Sequence, residues 1–274
     1  IGLSTSFTGE DSLDVTIDVG GTGSTSDGTE AAQILDFQKT GSAMMVDGIT
    51  YTFPVGGATM LVGDTTDISS TFTGACAYSA FTDYMSNCGT GSSLGVGGKG
   101  VTASMSYAFD SGFSLAGGIS STKDKIMTKE GADLYAIEAA YTADTYGVAV
   151  AYASDDAAAA AETTYWGVNA YYTPDSTNLP SISVGFETEE NDGTDKSGYF
   201  VGLTWPEVGP GSVSLGAGTS ANFADDATEL LIYEASYSYA VNDGITVTPG
   251  VYIKEAATGS DDDTGILVKT SFSF

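Results

Sequence analysis

The sequence has no arginine and no histidine. Its 8 basic residues are all lysines and stand against 36 Asp and Glu, so the formal net charge is −28. Nucleic-acid binding depends on clusters of Lys and Arg at the phosphates, and this balance excludes it. The lack of histidine rules out a Ser-His-Asp triad, a Cys-His pair and histidine metal ligands. We therefore predict no enzyme, no cofactor, no metal site and no nucleic-acid partner.

Long apolar runs are also missing. No stretch of about 18 apolar residues exists, so the sequence predicts no transmembrane helix. The start of the chain lacks a basic region followed by an apolar one, so any export signal has been removed or left out. What the chain does contain is 36 Gly, 16 Tyr and 12 Phe. Aromatic residues favour strands and glycines favour tight turns, which indicates an all-β protein.

Apolar and polar residues alternate with period two along many segments. Residues 13–19, 101–109, 231–239 and 266–274 are examples. Most of these runs have about nine to eleven residues, the length that a tilted strand needs to cross a membrane. A soluble β-sandwich that binds a ligand would show the same alternation, so alternation alone leaves this alternative to a membrane barrel open.

The placement of aromatic residues favours a membrane barrel over a sandwich. Tyr107 and Phe109 precede one turn, Phe113 follows it, and Tyr237 and Tyr239 precede another. Rings gathered at strand ends are typical of the interfacial girdle of a transmembrane β-barrel. Short turns also alternate with longer polar loops, such as 154–162, 188–197 and 220–228, which is the pattern of bacterial outer-membrane barrels.

The segmentation predicts fifteen strands. They are 1–8, 12–19, 43–53, 57–63, 99–109, 113–121, 133–142, 145–153, 163–173, 181–187, 198–205, 211–219, 229–239, 245–253 and 264–274. Single-chain bacterial barrels have an even strand number, because closing neighbours run antiparallel. We prefer a further strand upstream of Ile1, giving sixteen, to an extra strand at Ile34–Gln38.

Residues 64–98 form the longest irregular segment and contain both cysteines, Cys76 and Cys88. A disulfide between them suits an exported protein, since two thiols without histidine make a poor zinc site. Structureless connections of this length are usually functional. We predict that the segment folds inward and narrows a pore; the alternatives are an outward cap and a disordered rim.

Several blocks of the sequence resemble cyanobacterial outer-membrane porins, which are related to the carbohydrate-selective porins and are sometimes labelled iron-uptake porins. The blocks are Ser4–Leu13, Asp47–Gly56, the cysteine pair in the long loop and the closing Ser271–Phe274. The resemblance implies a β-barrel in contact with membrane lipid. It also implies passive uptake of small solutes and inorganic ions, and assembly as a homotrimer.

The resemblance sets two further expectations. Family members usually carry a surface-layer-homology domain before the barrel, so residues 1–274 are expected to be the barrel domain alone, without that domain and one upstream strand. The family pattern also commonly has arginines near the first segments, where this chain has Asp14 and Asp18. The resemblance therefore does not imply anion preference here.

Alternation places six charged residues toward the lumen as pore-lining candidates. They are Asp14, Asp18, Glu138, Glu234, Lys254 and Lys269. Four acids against two bases predict a modest cation preference, because carboxylates raise the local concentration of cations. The alternative for each acid is a wall carboxylate paired with a lysine or a backbone group.

Two functions remain in view at the level of the sequence. The first is a passive diffusion porin for small hydrophilic solutes and ions. The second is an outer-membrane barrel that acts mainly as a structural or recognition protein, through its loops. Acidic residues crowd the segments 187–195 and 261–263, but neither has the spacing of a calcium-binding loop, so we interpret them as a solvated rim.

Overall fold

A computed structural model of the chain describes residues 1–19, 43–82, 100–121, 128, 131–156, 162–220, 223–224, 226–257 and 259–272. In this part of the chain the secondary structure is β-strand, apart from a single turn of 3-10 helix at Ile68–Thr71. The strands are β1 Gly2–Thr5, β2 Ser12–Val19, β3 Met44–Val55, β4 Ala58–Asp64, β5 Val101–Ala108, β6 Phe113–Ser121, β7 Asp133–Thr142, β8 Tyr146–Asp156, β9 Thr163–Tyr172, β10 Ser181–Asn191, β11 Thr194–Val208, β12 Gly211–Thr219, β13 Phe223–Ala224, β14 Leu231–Asn242, β15 Ile245–Lys254 and β16 Asp263–Phe272.

All sixteen strands belong to one antiparallel sheet. Fifteen of them pair in chain order, from β1 to β12 and then β14, β15 and β16, while the two-residue β13 pairs with β11 beside this path. Among the described residues, each of the fifteen strands predicted from the sequence is present, in the predicted order. Since every neighbouring pair is antiparallel, the two ends of the path, β1 and β16, run in the same direction.

Side chains on the two faces of this sheet differ in kind. In β7, Asp133–Thr142, the exposed positions include Tyr135 and Ile137, at 41% and 63%, while Leu134 and Ala136 between them are almost fully buried. The exposed face carries large apolar residues along most strands. We call the other face, which residues 65–82 cover in part, the inner face. An apolar outer face is what a barrel wall needs against lipid.

Aromatic rings cluster on the outer face near the short turns, as the sequence predicted. The ring centroids of Tyr107 and Phe109 lie 4.7 Å apart, and those of Phe113 and Tyr141 lie at the same distance. Tyr146 joins this group at 5.9 Å from Tyr141. Their amphipathic rings suit the boundary between lipid and water.

One predicted loop is wrong. Residues 188–197 are not a long polar loop but the ends of β10 and β11, joined by a two-residue turn. Asp192 and Gly193 in this turn have φ of 48° and 76°, the left-handed region that type I′ hairpin turns require. Asp-Gly is the usual sequence signal for such a turn, and here the acidic composition of the segment hid it.

The turn between β1 and β2 is organised by one carboxylate. Asp11 accepts hydrogen bonds from the Ser6 hydroxyl at 2.6 Å, from the backbone N–H and the hydroxyl of Thr8 at 2.8 Å each, and from the Tyr51 hydroxyl at 2.7 Å. These bonds, that from Ser6 first, hold the pKa of Asp11 well below its usual range. The turn between β1 and β2, at the end of the sheet that carries the short turns, is therefore tied to β3 by a side chain that stays ionised.

Three predictions from the sequence fall outside the described residues: an extra strand at Ile34–Gln38, the position of Cys88 and the terminal Phe274. A search of the described residues for helices found none that is long and apolar enough to cross a membrane.

The assignment of the outer face can be tested at Val184 in β10. This side chain is 42% exposed and pairs with Ala170 and Val201 in the neighbouring strands. We expect Val184→Lys to lower the free energy of unfolding in lipid by about 2–4 kcal/mol, because an ammonium group would face hydrocarbon. Urea titration in lipid vesicles, followed by tryptophan fluorescence, measures this. Val184→Leu serves as the control, and equal stability of the two variants would contradict the assignment.

Candidate pore and inward loop

Residues 65–82 leave the end of β4 and run along the inner face of the sheet. We call them the inward loop. Near its start, the Thr66 hydroxyl hydrogen-bonds the Thr50 hydroxyl at 2.6 Å, and the Thr66 carbonyl accepts a hydrogen bond from Thr102 of β5. Ile68 follows with no exposed surface and packs on Leu134 and on neighbouring alanines of β7 and β8. Burial of this side chain is worth about 1.5–3 kcal/mol.

The middle of the inward loop is held by polar groups on three strands. The Thr73 N–H donates to Glu138 of β7 at 2.5 Å, and the Ser114 hydroxyl of β6 donates to the Thr73 hydroxyl at 2.9 Å. Further on, the Ala77 N–H donates to the Ser183 hydroxyl of β10 at 2.9 Å. The loop thus follows the wall from strand to strand.

A single carboxylate, Glu234 of β14, holds the tip of the inward loop. It accepts hydrogen bonds from the Tyr78 hydroxyl at 2.5 Å and from the Phe81 N–H at 2.6 Å. Thr82 donates to it twice, from its N–H at 2.9 Å and from its hydroxyl at 2.7 Å. Hydrogen bonds to a charged group contribute about 1.5–3 kcal/mol each. Burial, and then the Glu234 carboxylate, raise the pKa of Tyr78, so its phenol keeps the proton that it donates.

Glycines on the wall make room for the aromatic rings at this tip. A Cβ at Gly202 of β11 or at Gly216 of β12 would overlap the Tyr78 side chain, and a Cβ at Gly250 of β15 would lie 2.5 Å from ring atoms of Phe81. The Tyr78 ring also packs against Phe200, with centroids 6.1 Å apart. These glycines are therefore sockets into which the loop fits.

Two of the pore-lining candidates lie beneath the inward loop. Glu138 and Glu234 are 3% and 4% exposed, and both accept hydrogen bonds from loop groups. They are on the inner face, where alternation placed them. Their carboxylates contact the loop rather than open water. Their part in ion preference stays a prediction.

One acid of β2, Asp14, lines a separate recess. Asp14 is half-buried, receives a hydrogen bond from Ser12 at 2.7 Å, and borders a cavity of about 450 Å³. Asp47, in the bulge of β3, and Asp67, in the inward loop, border the same cavity. Asp18 lies four residues after Asp14 on the same strand and is half-buried, but it is not in this recess. The structure thus adds two acids to Asp14 that the sequence did not single out.

The two lysine candidates lie at different levels of the inner face. Lys254 is the last residue of β15 and stands opposite Asp263 and Ile232 in the register. Lys269 of β16 lies with its ammonium group 5.1 Å from the centroid of the Phe81 ring, close to the loop tip. Such a cation–π contact contributes about 0.5–1 kcal/mol at an exposed site.

The glycine sockets and the inner-face hydroxyls were missed at the level of the sequence. A signal for them exists: at 201–204 and 212–216, small residues occupy the inner positions while Val and Leu occupy the outer ones. Glu187 was counted in an acidic loop, and it lies instead on the wall of β10 with no exposed surface.

Comparison with solved structures identifies this architecture. A refined porin is 17% identical, covers 96% of this chain with 92% of its own length, and superposes with a TM-score of 0.65. An anion-selective porin from Comamonas acidovorans is 12% identical, with coverage of 99% and 87% and a TM-score of 0.69. The chain has the fold of a bacterial outer-membrane porin.

A third solved structure agrees. OmpT of Vibrio cholerae, an outer-membrane protein with loop L8 deleted, is 13% identical, with coverage of 99% and 89% and a TM-score of 0.66. No family model matches the chain, and no curated protein sequence matches it. In the porin fold the inner face of the sheet becomes the wall of a lumen, so the inward loop lies inside it.

The role of Glu234 can be tested by truncation. Glu234→Ala would leave two N–H groups and two hydroxyls without their acceptor, at about 1–3 kcal/mol for each that stays buried. We expect the tip of the inward loop to leave the wall and the single-channel conductance to change, while the barrel still forms. Glu190→Ala, which removes an exposed carboxylate near the turn between β10 and β11, is the control.

A second variant should detach the tip of the inward loop without changing a carboxylate. Gly202→Leu fills the socket of Tyr78 and should disturb the conductance in the same direction, whereas Gly2→Leu should not, because a Cβ there meets nothing within 4 Å. Wild-type conductance in both Glu234→Ala and Gly202→Leu, in folded protein, would contradict the placement of the loop.

Proposed function

We propose that the protein is a passive diffusion pore for small hydrophilic solutes and inorganic ions across the outer membrane. The observation that carries the proposal is a polar inner face, crossed by an anchored loop, within a wall of porin fold. A loop fixed inside a lumen narrows it. Transport then needs only diffusion. The partners of the protein are membrane lipid and the solutes that pass through the pore.

Recordings in a planar lipid bilayer test this proposal. Purified protein should insert with discrete, ohmic conductance steps that persist without any added ligand. Insertion of folded protein without conductance would exclude the pore and favour the alternative, a barrel that serves mainly as a structural or recognition protein.

The proposal includes a modest cation preference. It is supported by the recess of Asp14, Asp47 and Asp67, where three acids border one cavity beside the inward loop. At about 10 mM salt the Debye length is about 30 Å, so these charges act across the whole width of a pore, whereas at 1 M they are screened within about 3 Å.

We expect Asp14→Asn combined with Asp18→Asn to reduce this preference. The reversal potential in a salt gradient near 10 mM should move toward zero in the double variant, and it should be small at 1 M in both proteins. Glu190→Ala also removes a negative charge, but at an exposed position near the turn between β10 and β11, and is the control. An anion-selective reversal potential of the wild-type protein at low salt would show the preference to be wrong.

We also propose that Cys76 and Cys88 form a disulfide that closes part of the 64–98 segment. Cys76 lies in the inward loop, two residues before Tyr78, while Cys88 is outside the described residues. A bond of this span would contribute on the order of 3 kcal/mol by restricting the unfolded chain. It would bring the remainder of the segment back toward the part that is anchored to the wall.

Three finer points rest on the resemblance of the sequence rather than on the fold. They are a relation to carbohydrate-selective and iron-uptake porins of cyanobacteria, assembly as a homotrimer, and an additional strand with a surface-layer-homology domain before the barrel. The additional strand has separate support. Because β1 and β16 run in the same direction, an antiparallel closure between them requires one more strand.

A further inference from the structure

Below the tip of the inward loop, the inner face carries a band of hydroxyl groups. The inward positions that follow the sockets toward the short turns are Ser or Thr on β11, β12, β14 and β15, and Lys269 on β16. Two rows follow from the register. The first is Thr204, Ser214 and Ser236, and the second is Ser212, Ser238, Thr248 and Lys269.

Within each row neighbouring hydroxyls lie close together, and both rows border one cavity. Those of Thr204 and Ser214 are 3.1 Å apart, and the Thr248 hydroxyl donates to the Ser238 hydroxyl at 3.3 Å. With the loop residues Ala77 to Phe81 above them, they enclose an open cavity of about 280 Å³. A hydroxyl can turn to donate a hydrogen bond, so this wall can present several donors to one ligand.

One charged side chain borders this cavity among the described residues, the ammonium group of Lys269. Its recorded contact is with the Phe81 ring, and no carboxylate of the described residues lies within ion-pair distance of it. Asp14, Asp47 and Asp67 border a different cavity. A chain of net charge −28 thus contains a luminal site of positive charge.

We propose that this cavity is a low-affinity binding site for small inorganic oxyanions, such as phosphate, on the short-turn side of the inward loop. The inference rests on the proposed pore function, since the ligand reaches the site through the lumen. A tetrahedral oxyanion offers several acceptors at once, which matches hydroxyl donors on neighbouring strands. The ammonium group supplies the charge that distinguishes an anion from a neutral polyol.

Titration of inorganic phosphate into bilayer recordings at constant ionic strength tests the site. Added to each chamber in turn, phosphate should reduce the chloride current in a saturable way. Lys269→Gln should raise the half-saturating phosphate concentration by about tenfold, which corresponds to the loss of one charge-assisted hydrogen bond. Lys196→Gln removes the same charge near the turn between β10 and β11, where the ammonium group donates to Glu189 at 2.7 Å, and should leave the concentration unchanged.

A second variant separates recognition from charge alone. Ser212→Ala combined with Ser238→Ala should weaken phosphate block while preserving the ion selectivity measured with chloride, because the ammonium group is still present. A neutral sugar such as glucose at the same concentrations should not compete with phosphate.

Three results would overturn the inference. The first is a conducting pore whose current does not respond to phosphate, and the second is an equal effect of Lys269→Gln and Lys196→Gln. Competition by glucose would assign the hydroxyl band to polyols instead of oxyanions and would also overturn it. A protein that does not conduct at all refutes the proposed pore function, which is a different result.

Discussion

Backbone hydrogen bonding within the sheet is the constraint on which the rest of the structure depends. In hydrocarbon each unpaired N–H or C=O costs several kcal/mol, so a spanning chain must pair strand with strand. Strand pairing imposes period two, and period two gives the wall two faces with separate tasks. The outer face of large apolar residues suits lipid, while the inner face is free to carry glycine, hydroxyls and acids.

The inner face uses this freedom to hold a segment that has no strand partners of its own. Four backbone N–H groups of the inward loop, those of Thr73, Ala77, Phe81 and Thr82, donate to side chains of the wall, which are Glu138, Ser183 and Glu234. A buried carboxylate is costly unless it is hydrogen-bonded. The four donors at Glu234 offset that cost, and the glycine sockets bring the rings of Tyr78 and Phe81 close enough for the bonds to form.

Local patterns in the sequence predicted what depends on local physics. The fifteen paired strands and the inner position of Glu138 and Glu234 follow from alternation, which acts over neighbouring residues. The Asp192-Gly193 turn was missed although its signal is local, because acidic neighbours pointed to a loop. The partners of Glu234 could not be predicted in this way: Phe81 is 153 positions away in the sequence, and no period links a loop residue to the wall that it meets.

The central claim is that side chains of the wall fix the inward loop inside the lumen. Hydrogen exchange of the backbone amides of Phe81 and Thr82, in detergent-solubilised or lipid-embedded protein, tests it most directly. Both amides donate to Glu234, so they should exchange about as slowly as amides of the neighbouring strands. Exchange as fast as that of an exposed turn such as Gly193 would show that the loop is not anchored and would contradict the account.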